Sequence, residues 1–481
     1  MSNLRQQATK GFVWAFTEKW AVQIVNFVVA MVLARLLTPT DYGTVALLTI
    51  FISICDTLVD SGLGRALVQK KDAQDVDFNS VFYISIGVSL ILYVALFFAA
   101  PLVARFYDNP ELTSLLRVLS IGIICCALNG VQNAELNRKL LFNLSFRISV
   151  ISSGVMAITG LSMAYCGFGP WALVASSLGG QLTGVITRWF YIAWRPRLMF
   201  SWDAAKGLWR YGWKLAVSSL LDTVYNNLYG LIIGRLYSKA DLAFVNKGRS
   251  TPALAMDTFS GTLGRVAFPA LAKVQDNPET VRRGAEKILS MSMFCVLPLM
   301  VGCAVCAPRL IPLLFGDQWL PAIPYMQLSC FAFALWPFHT VNLQVMMAMG
   351  RSDYFLILEI IKKVTCLLVL ILVYRHGVFF MMMSLILICD PFCAIVNAWP
   401  NRGLIGYSPA RQIRDVLPTV GLAIFMGAAI WPLGLLPLPS VVVVALQTLC
   451  GAAVYLGIAY FAKFESLVEC LATMKQIRGR I

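Results

Sequence analysis

The sequence predicts an all-α polytopic membrane protein with about 14 transmembrane helices. Three observations carry this. Of 481 residues, 59 % are hydrophobic and only 13 % charged, with a mean hydropathy of +0.74, far from the balance of a soluble domain. Apolar runs of roughly 18 to 24 residues follow one another from residue 12 to residue 462, each long enough to cross the hydrocarbon as a helix. Finally, Asn26, Arg35, Leu36, Asp41 and Leu63-Gly64-Arg65 recur 200 residues later as Asn226, Arg235, Leu236, Asp241 and Leu263-Gly264-Arg265. Charge inside apolar segments is costly, so a shared spacing points to a duplicated bundle with its function between the two halves.

The first run, 12–34, carries Glu18, Lys19, Gln23 and Asn26 without a small-residue cleavage site, so it is expected to stay as a helix. The second, 42–62, places Asp56 and Asp60 four apart on one face. A Lys19–Asp56 bridge and a functional switch are both open for these groups. Runs 79–102, 113–133, 148–166 and 171–191 complete a first set of six. The seventh, 213–234, has Asp222, Asn226 and Asn227 where helix one has its polar stripe, and the eighth is 240–264. In the later runs, 287–307 holds Cys303 and Cys306, and 321–345 is interrupted at Trp336-Pro337. Run 354–374 sets Glu359, Lys362 and Lys363 at i, i+3 and i+4, where they can pair or snorkel. Run 378–398 contains Asp390-Pro391, and 416–435 and 440–462 end the series. Beyond them Phe464, Leu467, Val468 and Leu471 recur at helical spacing beside Lys463, Lys475, Arg478 and Arg480, an interfacial helix.

The net charge of +15 is a topology signal rather than a nucleic-acid footprint. Arg65, Lys70, Lys71, then Arg138, Lys139, Arg147, then Arg195, Arg197, Lys206, Arg210 and Lys214 lie in every second loop, which puts the N-terminus in the cytoplasm. An even number of crossings returns the C-terminus there. The inner connections 192–212 and 265–286 are the longest, and neither can hold a nucleotide-binding fold.

Residues 240–264 are the least hydrophobic crossing, yet without them every downstream loop would invert against the charge rule. On a helical wheel Asn246, Lys247, Arg249, Ser250, Asp257 and Ser260 share about 160° of arc. Gly248 and Pro252 could unwind the helix locally, which lipid tolerates only beside a cavity or buried protein. The polar face therefore either lines a cavity or forms an internal ion-pair network.

Chemistry-bearing motifs are missing. G-x-x-x-x-G-K-[ST], G-x-S-x-G and H-E-x-x-H do not occur, and outer loops are short, which weakens every enzyme reading, so none is expected. No cofactor is expected. Nor is a metal site, because His339 and His376 are the only histidines and the Cys303/Cys306 pair lies in an apolar helix.

The segments Leu36-Leu37-Thr38-Pro39-Thr40-Asp41-Tyr42-Gly43, Asp60-Ser61-Gly62-Leu63-Gly64 and Ala66-Leu67-Val68-Gln69 resemble the polysaccharide transporter family. The opening Thr9-Lys10-Gly11 to Trp14 and Phe315-Gly316-Asp317-Gln318-Trp319 fit the same pattern, which is that of colanic-acid-exporter-type lipopolysaccharide biosynthesis proteins. That family lies within the multidrug/oligosaccharidyl-lipid/polysaccharide exporter superfamily. The resemblance implies two six-helix lobes, 1–200 and 201–400, related by a pseudo-two-fold along the membrane normal around a central cavity. Residues 401–481 would add two helices and the interfacial tail. It also implies a bacterial inner-membrane flippase that moves an undecaprenyl-pyrophosphate-linked oligosaccharide by alternating access, alongside polysaccharide polymerase and chain-length machinery.

A pyrophosphate leaving headgroup water needs cations at depth. Lys247 and Arg249 are the leading candidates, followed by Lys19, Arg147, Lys362 and Lys363, with Asn226, Asn227 and Tyr225 for the sugars. Asp56, Asp60, Asp222 and Asp257 are candidates for ion coupling or gating. The alternatives are a cation-coupled drug or small-solute antiporter of the same superfamily, and a membrane polysaccharide polymerase or ligase.

Overall fold

The computed structural model describes residues 22–60, 63–64, 67, 74–139, 141–351 and 353–468. Lys19, the basic loop at Arg65, Lys70 and Lys71, and the tail beyond Val468 lie outside them. Among the described residues every regular element is a helix, as lipid requires, because only a helix or a closed barrel satisfies all its backbone groups there. In chain order the helices are α1 (Val22–Leu36), α2 (Pro39–Asp60), α3 (Asp75–Phe106), α4 (Glu111–Leu119), α5 (Ile121–Arg138), α6 (Phe142–Tyr165), α7 (Pro170–Tyr191) and α8 (Trp202–Leu236). They continue as α9 (Lys239–Ala272), α10 (Pro278–Phe315), α11 (Ile323–Ala334), α12 (Trp336–Ala348), α13 (Asp353–Val373), α14 (Val378–Ser384), α15 (Asp390–Ile405), α16 (Pro409–Ile430) and α17 (Ser440–Phe461). Eight of the described helical segments are both long and apolar enough to cross a membrane.

Several helices outrun their apolar runs. The run 79–102 lies within the 32 residues of α3, and the expected connection 265–286 shrinks to 273–277 because α9 and α10 reach 34 and 38 residues. Hydropathy marks where lipid ends; the hydrogen-bond ladder continues until a breaker intervenes. Here the breaker is Asn277, whose side chain accepts from the Thr280 amide at 3.1 Å, followed by Pro278 in the first turn. Gly248 and Pro252 do not unwind α9, which is helical throughout. Gly248 instead permits close packing, since a Cβ there would lie 2.7 Å from the Met326 amide nitrogen and 2.9 Å from the Ala322 carbonyl oxygen. Irregular backbone occurs at the two other proline sites. The chain breaks between α11 and α12 just before Trp336-Pro337, and a π-helical turn, Leu385–Cys389, joins α14 to α15 just before Asp390-Pro391.

Packing divides the chain into two compact units, Met1–Ala243 and Phe244–Ile481. In the first unit, small residues bring helices close, the usual association mode where lipid removes the hydrophobic drive. On the α6–α7 hairpin, a Cβ on Gly160 would meet Ser176 Oγ at 2.7 Å, and one on Gly179 would meet Thr159 Oγ1 at 2.7 Å. Helices α2 and α8 run antiparallel in one continuous register. Leu47 fills the space over Gly234 and Ile50 that over Gly230, while Asn227 Nδ2 donates to Ser53 Oγ at 3.4 Å and the Thr57 and Thr223 hydroxyls are 3.0 Å apart. Thus α8, which the repeat would count with the second half, packs into the first unit through its glycine and hydroxyl face. The segment before α8 is strapped to the start of α3. Asn79 Oδ1 accepts from the Arg197 amide at 2.6 Å, Ser80 Oγ from the Ser201 amide at 3.0 Å, and Trp194 stacks edge-on with Phe82.

In the second unit, α16 and α17 are fixed to the bundle by buried polar contacts. Asn342 of α12 and Gln412 of α16 exchange two hydrogen bonds, 2.8 and 2.9 Å, and Asn401 Nδ2 of α15 donates to the same Asn342 oxygen at 2.6 Å. Asn401 and Gln412 are fully buried, so these bonds satisfy groups that water cannot reach. Tyr455 of α17 donates to the Phe294 carbonyl of α10 at 2.8 Å. Arg309 donates to Gly434 and Leu436 carbonyls, closing the turn between α16 and α17. Among α10, α11, α15 and α16 lies a cavity of about 540 Å³, apolar except for Gln327 and Gln412.

Candidate functional site

Polar side chains collect separately in each unit. In the first, Asp56 on α2 is half-buried beside Cys126 of α5, and one of its carboxylate oxygens is buried without a hydrogen-bond partner; Asp60, a turn further along, is exposed. Along the same α5 stripe, Asn129 and Asn133 face Arg188 of α7. The Arg188 Nε donates to Asn133 Oδ1 at 3.0 Å and Nη1 to Asn129 Oδ1 at 3.3 Å, so its fork spans one helical turn. Sequence reasoning passed over Arg188. Its signal was available: it is the one charged residue of Pro170–Tyr191, and a charge on an otherwise uncharged helix of a membrane protein is a functional candidate.

The remaining candidates of this unit are dispersed. Arg147 is exposed near the start of α6, and Asp222 and Asn226 are exposed on α8. Asn227 is committed to the α2–α8 seam, donating both to Ser53 and to its own helix at the Thr223 carbonyl.

In the second unit the polar face of α9 divides. Lys247 is only 8 % exposed, its ammonium 4.2 Å from the centre of the Phe315 ring and 5.3 Å from that of Trp319. Trp319 is fully buried, and Phe244 meets it edge-on, so Lys247 ends in an aromatic box rather than in an aqueous space. A desolvated contact of this kind contributes about 2 kcal/mol or more, which offsets part of the burial cost. The motif Phe315-Gly316-Asp317-Gln318-Trp319 thereby has a physical role: Gly316, with φ 95°, turns the chain so that both rings reach one lysine. Two residues on, Arg249 is exposed and within electrostatic range of Asp390, which sits directly after the π-helical turn. Asp257 lies on α9, with its side chain outside the described residues.

A second polar group in this unit spans α12, α13 and α15. Glu359 pairs with Lys362 and, at 3.9 Å, with Lys363, as their spacing predicts. His339 Nδ1 is 3.0 Å from Asn397 Nδ2, and the Lys362 charge acts on His339 and Cys393. The structure therefore joins Lys362 and Lys363 through Glu359 and places Arg249 within electrostatic range of Asp390, a residue the sequence marked only as a helix interruption. Among the described residues, no group of three or more His, Cys, Asp or Glu side chains is placed to hold a metal ion.

A helical bundle that presents guanidinium groups from its helices is suited to holding an anion. Residues 32–324 match the family model described as polysaccharide biosynthesis protein. The chain belongs to the polysaccharide biosynthesis protein family. Among its relatives, the lipopolysaccharide biosynthesis protein WzxC of Escherichia coli (strain K12) is 26 % identical over 336 residues, covering 68 % of this chain and 67 % of that one. The teichuronic acid biosynthesis protein TuaB of Bacillus subtilis (strain 168) is 25 % identical, covering 73 % and 74 %. The succinoglycan biosynthesis transport protein ExoT of Rhizobium meliloti (strain 1021) is 26 % identical, covering 66 % and 65 %.

The fold is that of the lipid II flippase MurJ in an inward closed conformation, with a TM-score of 0.76 at 13 % identity over 94 % of this chain and 99 % of that one. An inward-facing multidrug resistance MATE family transporter gives 0.61 at 16 % identity, over 82 % and 98 %. This chain is thus a polysaccharide biosynthesis protein, as the motif around Asp41 implied, with the fold of these membrane transporters.

Proposed function

We propose that this family member carries an undecaprenyl-pyrophosphate-linked oligosaccharide repeat unit from the cytoplasmic to the periplasmic leaflet of a bacterial inner membrane, by alternating access. The observation that carries the reading is Arg249: a guanidinium exposed on α9 of a polysaccharide biosynthesis protein, within electrostatic range of the acidic Asp390. A pyrophosphate can replace the carboxylate as partner of the guanidinium, keeping the charge neutralised as the anion leaves water. Lys362 and Lys363 extend the cationic surface, and Asp56, Asp60, Asp222 and Asp257 remain the candidates for ion coupling or gating. The charge bias of the loops supports fourteen crossings with both termini in the cytoplasm.

Deleting the gene should leave lipid-linked oligosaccharide on the cytoplasmic leaflet and halt polymer export, and Arg249→Gln should fail to restore it. Full export by that variant, at normal protein levels, would remove Arg249 from the site. The cation-coupled antiporter reading draws on the same intramembrane carboxylates and predicts resistance to cationic compounds on overproduction, with no lipid-linked intermediate retained in the deletion strain.

A further inference from the structure

We propose that the cavity among α10, α11, α15 and α16 of the second unit is a binding slot for one acyl chain of an anionic phospholipid, whose headgroup rests on the arginines at the start of α16. The cavity holds about 540 Å³, within the range of built ligand sites. It is long rather than round. Its wall runs along α10 from Met293 to Val305, about 18 Å at the helical rise, and one leaflet of hydrocarbon is about 15 Å deep. That depth takes a single fatty chain; an undecaprenyl chain is far longer. Leu417 and Ile424, which line the cavity from α16, are each 61 % exposed, so it opens along that helix instead of being sealed in the core. The helices α10 and α16, and the segment 378–405 that contains α15, are long and apolar enough to cross a membrane, which sets the opening at hydrocarbon depth. The two amide side chains in the wall are already engaged with protein. Gln412 exchanges hydrogen bonds with Asn342, and Gln327 Nε2 donates to the Ala304 carbonyl at 3.2 Å. A sugar would therefore lose more hydrogen bonds to water than it gained inside, whereas a hydrocarbon chain replaces void with contact.

Charge selects the lipid. The Arg411 guanidinium meets Glu286 of α10 at 3.1 Å, which fixes the start of α16 beside the Met293 end of the cavity. Arg411 and Arg414 flank the lining residues Gln412 and Ile413, and Arg402 follows the lining residue Ala398 by one turn of α15; all three arginines are exposed. The carboxylates on these helices at this end, Glu279, Glu286 and Asp415, are fewer than the basic groups Arg282, Arg283, Lys287, Arg402, Arg411 and Arg414. Asp415 is also taken by the Tyr407 hydroxyl, which donates to it at 2.9 Å. An excess of basic groups at the mouth of an apolar slot attracts an anionic headgroup, and guanidinium hydrogen bonds hold its phosphate. The proposal does not depend on the cargo of the protein and stands if the flippase reading fails.

The test uses the full chain, delipidated in detergent and titrated separately with palmitoyl-oleoyl phosphatidylglycerol, with phosphatidylcholine of the same chains and with undecaprenyl phosphate, each read by native mass spectrometry. The wild-type chain should retain phosphatidylglycerol at least about tenfold more tightly than phosphatidylcholine. Arg402→Gln combined with Arg414→Gln, two surface changes, should erase that preference. Ala304→Phe, which fills the slot, should weaken retention of both phospholipids. Leu417→Trp, on the exposed rim, should do the same without touching the core, so the test holds even where Ala304→Phe fails to fold. Wild-type retention in Leu417→Trp, or an intact preference in the double arginine variant, overturns the proposal. Undecaprenyl phosphate that displaces phosphatidylglycerol from the wild-type chain, and is itself excluded by Leu417→Trp, assigns the slot to a polyprenyl chain and overturns it as well.

Discussion

Asp41 and Asp241, 200 residues apart, make the same three hydrogen bonds. Asp41 Oδ2 accepts from the Thr38 amide at 2.9 Å and from the Thr38 hydroxyl at 2.7 Å, and the Asp41 amide donates back to Thr38 Oγ1 at 3.2 Å. Asp241 does so with Ser238 at 3.2, 2.6 and 3.0 Å. Each is a reciprocal cap that satisfies orphan amides at the start of a long helix and sets a carboxylate on its positive end.

Asp41→Ala and Asp241→Ala should each cost about 1 kcal/mol, the usual worth of such a cap. The two helix starts also touch, since a Cβ on Gly43 would lie 1.9 Å from the Lys239 carbonyl oxygen. The double variant should therefore deviate from additivity by about 0.5 kcal/mol or more. Thermal unfolding in detergent checks both; strictly additive losses would mean that the caps are independent.

The α2–α8 seam makes a sharper demand. With the Thr57 and Thr223 hydroxyls 3.0 Å apart, Thr57→Cys with Thr223→Cys should cross-link under a mild oxidant such as copper phenanthroline. If these helices separate during the transport cycle, the cross-link stops export and reduction restores it. Unimpaired export by the oxidised protein would show that the seam stays closed throughout.

Lys247 and Arg249 should part company. Lys247→Ala empties the Phe315/Trp319 box and should lower thermal stability by about 2 kcal/mol or more, whereas Arg249→Gln should leave stability near wild type and remove export. Melting curves beside export assays separate the two effects. A stable, inactive Lys247→Ala would instead place this lysine on the substrate.

The sequence made the helical class and the cap motif legible because both are local: apolar length shows a crossing, and Asp41 three residues after Thr38 shows a helix start. The repeat was legible because it preserved those signals. The sequence grouped Lys247 and Arg249 on one polar face of α9, whereas the structure gives them two environments, since the rings that enclose Lys247 arrive from a chain segment some 70 residues away. Gly248 could not reveal whether it unwinds a helix or admits a neighbour; only the approach of Ala322 and Met326 decides that. Arg188 was visible and undervalued, because its significance lies in Asn129 and Asn133, which one-dimensional spacing leaves more than fifty residues away.

The buried amide network gives a further test. Gln412→Leu removes two of the hydrogen bonds that hold Asn342 in a dry interior, leaving it those to Asn401 and Phe338, at a cost of about 1–3 kcal/mol. The loss should appear first as release of α16, read by proteolysis near Tyr407, with little change around α2 and α8. Cleavage equally raised in both units would indicate global unfolding.

The most direct measurement of the central claim is leaflet exchange. Full-length protein is reconstituted into vesicles carrying a fluorescent polyprenyl-pyrophosphate-linked oligosaccharide, and a membrane-impermeant quencher reports how much probe reaches the outer leaflet. The wild-type chain should equilibrate the probe between leaflets, and Arg249→Gln should slow exchange at least about tenfold, as expected for loss of a charged hydrogen bond to the pyrophosphate. Exchange no faster than in protein-free vesicles, or an Arg249→Gln protein as fast as wild type, would contradict it.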